Sequence, residues 1–208
     1  MIAWTIEAAK RSNIFDRIIV STDSEEIADV ARHYGIEVPF LRSDKNDDIS
    51  PVSEATLAAV DQAEIFYNEK YDVVIQLMAN APLRNESHII QQYKRFLDLD
   101  CNFQISSFKF GWMNPWWAFR QSQDGQIEWM MKEGVGKRSQ DLSELFCPTG
   151  VVWIARVNHL KEANSFYGPG YQFCEIDWKS AVDIDNYEDL EFAKALFLVK
   201  NGMDKLNP

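Results

Sequence analysis

Apolar residues recur along the chain at two kinds of spacing, one typical of helices and one typical of buried strands. Residues 2–11 place Ile and Ala at helical intervals, which predicts an amphipathic helix. Short apolar runs at 17–22, 37–41 and 71–77 are too short for helices and favour strands. Helical patterns follow these runs at 24–34, 52–68 and 86–99. Such alternation predicts an α/β fold, in which helices cover both faces of a mostly parallel sheet.

The pattern changes after residue 100. An alternating strand at 101–110 is followed by a dense aromatic stretch at 112–119. The dipeptide Asp124-Gly125 is a hairpin signal, so we interpret about 108–133 as an excursion of antiparallel strands from the main sheet. An exposed aromatic block of this kind more often marks a protein interface than a ligand platform. We therefore expect the excursion to make a homodimer.

The last quarter of the chain returns to the α/β pattern. Residues 151–154 form an apolar core strand, and residues 181–185 end a strand before a last helix at about 187–200. The chain has 208 residues, which fits one domain of ordinary size. We expect residues 1–208 to form that single domain.

Charge and cysteine content narrow the choice of partners and compartment. The 21 basic and 32 acidic residues give a net charge of −11, which argues against nucleic acid or an anionic membrane as the main partner. The three cysteines are widely spaced, so neither a disulfide framework nor a zinc ribbon is expected. This cysteine usage favours a reducing compartment, so we expect a cytoplasmic protein. No apolar run approaches the length of a membrane span.

The sharpest chemical feature is the pair Asp183 and Asp185, which lies between a strand and a helix. Carboxylates at i and i+2 on an extended segment point to the same side and suit a hard cation such as Mg²⁺. The alternative is structural, with Asp185 or Asn186 capping the last helix and Asp183 a solvated strand end.

Polar residues also follow the predicted strands, where ligands of α/β sheets bind. Ser21 and Asp23 end the first strand and are candidates for ligand binding or for helix capping. Gln76 closes the strand at 71–77, with Arg84 shortly after it, and both are candidate substrate contacts. An amide at this position is suited to bind a sugar hydroxyl or a base, and equally to satisfy loop backbone groups.

Two loops carry candidate anion contacts. Arg42 lies in the loop before the helix at 52–68, and Arg138 and Gln140 lie with two lysines after the excursion. Arginine can bind a carboxylate or phosphate with two parallel hydrogen bonds, although most charged loop residues are simply solvated. No Ser-His-Asp or Cys-His arrangement and no glycine-rich phosphate loop is present in the sequence.

Taken together, these residues resemble the acylneuraminate cytidylyltransferase family, which includes the CMP-sialic, pseudaminic and legionaminic acid synthetases. The similarity runs through residues 1–9, 19–28, 38–42, 76–84 and 183–190. It implies a three-layer nucleotidyltransferase sandwich. It also implies a CTP-dependent enzyme that joins CTP to a 2-keto-3-deoxy nonulosonic acid, giving a CMP-sugar and pyrophosphate.

The resemblance also implies roles for individual residues. The anomeric hydroxyl would attack the α-phosphate directly with Mg²⁺ and no covalent intermediate, which agrees with the lack of a nucleophile. Asp183 and Asp185 would hold Mg²⁺ against the triphosphate and act as the catalytic pair. Arg42 would contact the nucleotide and Gln76 the sugar acid. Arg138 and Gln140 would lie in a lid-like segment near the sugar.

The sequence departs from the family pattern in three places. The family begins with a strand and an Arg-Gly-Gly-Ser-Lys-type phosphate loop, whereas Met1 matches an internal position. We therefore expect a truncated chain with little turnover by itself. Residues 77–81 replace a Pro-Thr-Ser-type stretch, and residues 147–150 replace Arg-Pro-Asn-Gly, which favours a sugar other than sialic acid.

Two alternatives to this function stay open. One is a different sugar-acid or sugar-phosphate nucleotidyltransferase. The other is a non-catalytic subunit that kept the fold for binding or oligomerisation and lost the phosphate loop.

Overall fold

A computed structural model describes residues 1–42 and 51–202. The helices and strands in chain order are α1 Ile2–Ser12, α2 Glu25–His33, α3 Val52–Tyr67, β1 Val73–Gln76, α4 Glu86–Asp98, β2 Phe103–Lys109, β3 Phe119–Gln121, β4 Ile127–Trp129, β5 Phe146–Arg156, α5 Val157–Ala163, β6 Gln172–Glu175 and α6 Tyr187–Lys200. Most of the loop expected between Arg42 and Pro51 lies outside the described residues.

Local side-chain chemistry sets the ends of the helices. The side chain of Asn186 caps α6 by accepting from the backbone N–H groups of Glu188 and Asp189. The carboxylate of Asp189 in turn accepts from the backbone N–H of Asn186. Ser24 caps α2 by accepting from the N–H of Ile27. Each cap satisfies backbone N–H groups that have no partner within the helix. Both helices therefore begin within a residue or two of where the sequence predicts.

The main sheet is mixed. Its strand order is β1-β5-β2-β6, with β5 antiparallel to both of its neighbours and β2 parallel to β6. The fold class is confirmed as α/β, while the pairings among the described strands are less parallel than expected. The reason is that β5 returns from the excursion between β1 and β2, against their direction.

Helices cover both faces of this sheet. Residues of α1 and α4, including Ala8, Ile89 and Phe96, pack with Val152 and Ile154 of β5 in one core cluster. A second cluster packs α3 and α5 against the side chains that alternate with these along β5. The two clusters give the three layers of the sandwich. Among the described residues, no helix is long and apolar enough to cross a membrane.

The strands predicted at 17–22 and 37–41 are wrong as continuous strands. Here the structure has one parallel bridge between Ile19 and Glu37, where the N–H of Val20 donates to the carbonyl of Glu37 at 3.3 Å. Ile18 and Val20 are only half-buried, although the run predicts full burial. A strand needs lateral hydrogen bonds as well as apolar residues, and this segment has few.

Strand β1 shares this incomplete pairing. Within the described residues it pairs only with β5, so its other edge has no partner strand. All four of its residues are half-buried, whereas Val151, Val152 and Ile154 of β5 are fully buried. We call the unpaired side of Val73–Gln76 the open edge.

The excursion forms the expected antiparallel hairpin. Phe119–Gln121 pairs with Ile127–Trp129, and Gly125 takes a left-handed φ of 83° in the turn. The indole N–H groups of Trp116 and Trp117 donate to carbonyls of the same chain, at Ser143 and Gly134.

Candidate active site

The segment before α6 carries the predicted pair of aspartates and is held on both sides. The hydroxyl of Thr149 donates to the carbonyl of Ala181 at 3.1 Å. The backbone N–H of Ile184 donates to the carbonyl of Asn80 at 2.8 Å. The side chain of Ile184 is buried in a cluster with Leu83 and residues of α6. Burial of Ile184 leaves the residues on either side of it, Asp183 and Asp185, to face outward.

Both aspartates are exposed, and among the described residues neither has a basic partner. Asp185 accepts one hydrogen bond, from the side-chain amide of Asn80 to Oδ1 at 3.2 Å. Burial, together with the charges of Asp185 and Asp189, raises the pKa of Asp183. Asn186 caps the last helix, as one form of the structural alternative predicts, so the cap does not use the carboxylate of Asp185.

This donor set fits Mg²⁺. Two carboxylates without a compensating cation supply the hard oxygen ligands and the negative charge that Mg²⁺ needs. In the part of the chain that the structure describes, no group of three or more His, Cys, Asp or Glu residues forms a complete cage. Such a partial site suits Mg²⁺, which usually keeps waters and binds substrate phosphates through its remaining positions.

Ser21, Asp23 and Arg42 come together at the end of the first apolar run. The backbone N–H of Arg42 donates to the carbonyl of Thr22 at 2.8 Å, and its guanidinium lies 3.6 Å from Asp23 Oδ1. Ser21 Oγ and Arg42 Nε are both buried without a hydrogen-bond partner in the described residues. Helix capping does not use these groups, since Ser24 caps α2. Buried polar atoms without partners are uncommon, and they are expected where a ligand or a further segment binds.

Gln76 is oriented toward α3. Its Oε1 accepts from the hydroxyl of Thr56 at 2.9 Å, and its backbone lies opposite Trp153 of β5. The structure thus gives this side chain a local structural partner. The sequence left that possibility open beside sugar binding.

Arg84 lies in the core and not at the surface. It is 3% exposed, and it donates to the carbonyls of Val151 and Met78 and to the hydroxyl of Thr5. Burial lowers the pKa of the guanidinium to about 9, so it is still charged at neutral pH. The predicted substrate contact is therefore replaced by a structural role, in which one side chain joins α1, β5 and the loop after β1.

Arg138 and Gln140 lie on an exposed 3₁₀ turn, 139–141, after the excursion. The guanidinium of Arg138 pairs with Asp141 at 2.8 Å, and the amide oxygen of Gln140 accepts from Ser139. Asp141 and Ser139 both lie within this turn. The structure does not bring them to the aspartates.

An aromatic row beside the aspartates was missed in the sequence. Trp153, Tyr167, Tyr171 and Phe173 form successive edge-to-face contacts with ring centroids 5.3–5.8 Å apart. Burial and, after it, the charge of Asp183 raise the pKa of the Cys147 thiol, while burial and then the nearby Tyr171 and Cys147 raise the pKa of Tyr167, so the row and the aspartate segment share this cysteine as a neighbour. The signal available in the sequence was the run of aromatic and glycine residues at 166–171, which has no helical or strand period.

Comparison with known proteins identifies the family. A family model described as cytidylyltransferase matches residues 1–111. The pseudaminic acid cytidylyltransferase of Campylobacter jejuni subsp. jejuni serotype O:23/36 (strain 81-176) is 32% identical over 203 residues, which cover 97% of this chain and 86% of that protein. The CMP-N,N'-diacetyllegionaminic acid synthase of Campylobacter jejuni serotype O:2 is 29% identical, with 97% and 85% covered.

A solved structure shares the architecture. A CMP:2-keto-3-deoxy-manno-octonic acid synthetase complexed with CTP superposes with a TM-score of 0.65 at 11% identity, covering 96% of this chain and 88% of that one. At this identity the likeness shows the fold alone. The family match, which spans more than half of the 208 residues, shows more: the chain belongs to the cytidylyltransferase family, the CTP-dependent nucleotidyltransferases.

Proposed function

We propose that this chain transfers a cytidylyl group from CTP to a nonulosonic acid of the pseudaminic acid type, with Mg²⁺ held by Asp183 and Asp185. The observation that carries the proposal is the pair of unneutralised carboxylates on a segment fixed by Asn80 and Thr149. The relatives named above, one for pseudaminic acid and one for a legionaminic acid, support the class of acceptor.

The reaction needs positioning and charge stabilisation, and no covalent chemistry from the protein. A bond forms between the anomeric oxygen of the sugar acid and the α-phosphorus of CTP, while the bond to the leaving pyrophosphate breaks. Mg²⁺, when bound, neutralises charge that develops on the triphosphate oxygens. Asp183 and Asp185 hold the cation, and the guanidinium of Arg42 binds the nucleotide beside Ser21 and Asp23.

The acceptor binds on the aromatic side of the aspartate segment. Tyr167 and Tyr171 are half-exposed there, and aromatic faces pack against the apolar faces of sugar rings. Residues 147–150, which replace the family's Arg-Pro-Asn-Gly, run past the same place. A changed acid anchor supports an acceptor other than sialic acid.

The experiment is pyrophosphate release from CTP and Mg²⁺ with pseudaminic, legionaminic and sialic acids in parallel. We expect the highest turnover with pseudaminic acid. The same panel is run on a variant that adds a family-type strand and phosphate loop before Met1. Turnover only in the extended variant would support the family chemistry and show that it requires the added segment. If neither protein releases pyrophosphate, and circular dichroism shows that both are folded, the non-catalytic alternative is favoured.

We further propose that the hairpin joins two copies of the chain. Every residue of β3 and β4 is exposed, and an isolated two-stranded hairpin is marginally stable in water. The hairpin and the segment before it leave large apolar side chains exposed, namely Trp112, Met113, Phe119, Ile127 and Trp129. Patches of this kind mark protein interfaces, and a second copy presents the same surface.

The double change Phe119→Ser and Ile127→Ser is expected to shift the mass in light scattering from two chains to one. The reason is the loss of apolar area that only association buries. Ile65→Ser on α3 is the matched control, because Ile65 is 82% exposed and lies outside the hairpin. An unchanged dimer in the double variant, or a monomer in the unmodified chain, would rule out this interface.

A further inference from the structure

We propose that Asn80 is a positioning residue for the carboxylate pair, and that it fixes which oxygen of Asp185 is available to a divalent cation. The inference rests on the proposed function. It adds a residue outside the ligand pair that determines how tightly that pair binds metal.

Asn80 contacts two consecutive residues of the aspartate segment. Its carbonyl accepts from the N–H of Ile184 at 2.8 Å, and its side-chain amide donates to Asp185 Oδ1 at 3.2 Å. The first contact fixes the backbone between the two aspartates, and the second fixes the rotation of one carboxylate. Among the described residues, this is the only side-chain hydrogen bond to either aspartate.

Asn80 is itself held in place. It follows Met78, whose carbonyl accepts from the buried Arg84 and whose N–H donates to Gly150 of β5. The next residue, Ala81, is fully buried. The amide is therefore presented from a fixed loop, which is what a residue that orients another side chain requires.

The chemistry of the amide suits this task. An ionised carboxylate only accepts hydrogen bonds, so the NH₂ group of Asn80 must face Asp185. Asp183 and Asp185 are like charges two residues apart, and the hydrogen bond from Asn80 restrains the rotation of one of the two carboxylates. A neutral donor supplies that restraint and leaves the full negative charge for the cation, whereas Lys or Arg would cancel part of it.

The test is Mn²⁺ binding to the whole chain, measured by electron paramagnetic resonance without nucleotide. Asn80→Ala removes the side-chain donor and keeps the backbone contact to Ile184. We expect the dissociation constant for Mn²⁺ to rise about tenfold, the lower end for loss of a residue that orients a metal ligand. Thr149→Val is the matched control, because it loosens the same segment at Ala181 without touching a carboxylate.

A second readout separates positioning from a general loss of structure. In turnover assays, Asn80→Ala is expected to need about tenfold more Mg²⁺ for half-maximal rate, with kcat at saturating Mg²⁺ largely restored. An equal shift in Thr149→Val, or an unchanged Mn²⁺ affinity in Asn80→Ala, would overturn the inference. Asp185→Asn separates the proposed metal site from the proposed role of Asn80. If Asp185→Asn no longer binds Mn²⁺ while Asn80→Ala still binds it, only the role of Asn80 is wrong. If the unmodified chain binds no Mn²⁺, both proposals fail.

Discussion

In the variant that adds a family-type strand and phosphate loop before Met1, Asp185→Asn is expected to lower Mg²⁺-dependent turnover about 10³-fold, which corresponds to about 4 kcal/mol of transition-state stabilisation. The change removes one of two charges that hold the cation. It keeps the size of the side chain and an oxygen that can accept from Asn80. The melting temperature should therefore stay within about 2 °C of the unmodified chain, because Asp185 is exposed and makes no core contact.

Glu188→Gln is the matched control for this loss of charge. Glu188 is exposed in the first turn of α6, three residues after Asp185, so both variants change the net charge by one in the same region. Turnover within about threefold is expected for the control. If Asp185→Asn retains turnover close to that of Glu188→Gln, Asp185 does not hold the metal. Mn²⁺ affinity gives the same comparison without substrate.

Arg84→Leu is expected to lower the free energy of unfolding by about 3 kcal/mol or more, because three acceptors in α1, β5 and the loop after β1 lose their donor. Each buried acceptor without a partner costs about 1–3 kcal/mol, and removing the desolvated charge offsets part of the total. A loss of this size lowers the melting temperature by roughly 6–12 °C in a chain of this length.

The control is an arginine of α1 whose side chain lies in solvent. Arg11→Leu removes a guanidinium that is 67% exposed and 3.7 Å from Glu7, and such surface pairs contribute about 0.2–1 kcal/mol. A melting temperature for Arg84→Leu equal to that of Arg11→Leu would show that the Arg84 contacts contribute little. Substrate binding by Arg84 would instead lower turnover at an unchanged melting temperature.

The helices could be predicted from the sequence because their signals are local. The predicted bounds of α6 coincide with the structure, since the cap at Asn186 and the apolar spacing lie within the helix itself. The strand at 17–22 failed for the opposite reason. Its residues favour a strand, but a strand also requires hydrogen bonds to a neighbouring strand, and the described residues give Ile19 only the bridge to Glu37.

The candidate site also combines residues that local sequence signals predict with residues whose roles depend on contacts between separate segments. Asp183 and Asp185 could be found because their spacing on an extended segment determines their common direction. The role of Arg84 could not, because a charged residue after a strand has the same sequence pattern in a core or at a surface. The hydrogen bond from Asn80 to Asp185 joins residues 105 positions apart, and no local sequence pattern predicts it.

Because β1 pairs on one side only within the described residues, we expect the open edge to make this chain sensitive to its own concentration. Backbone N–H and C=O groups along Val73–Gln76 that no described strand pairs are a template for an extended segment, including the same strand of another molecule. Charged residues at 69, 70 and 72 lie directly before this apolar strand. We expect their charges to oppose pairing between the same strands of two molecules. High salt weakens that protection by screening, so a chain that stays dispersed in dilute buffer should form aggregates as the ionic strength rises.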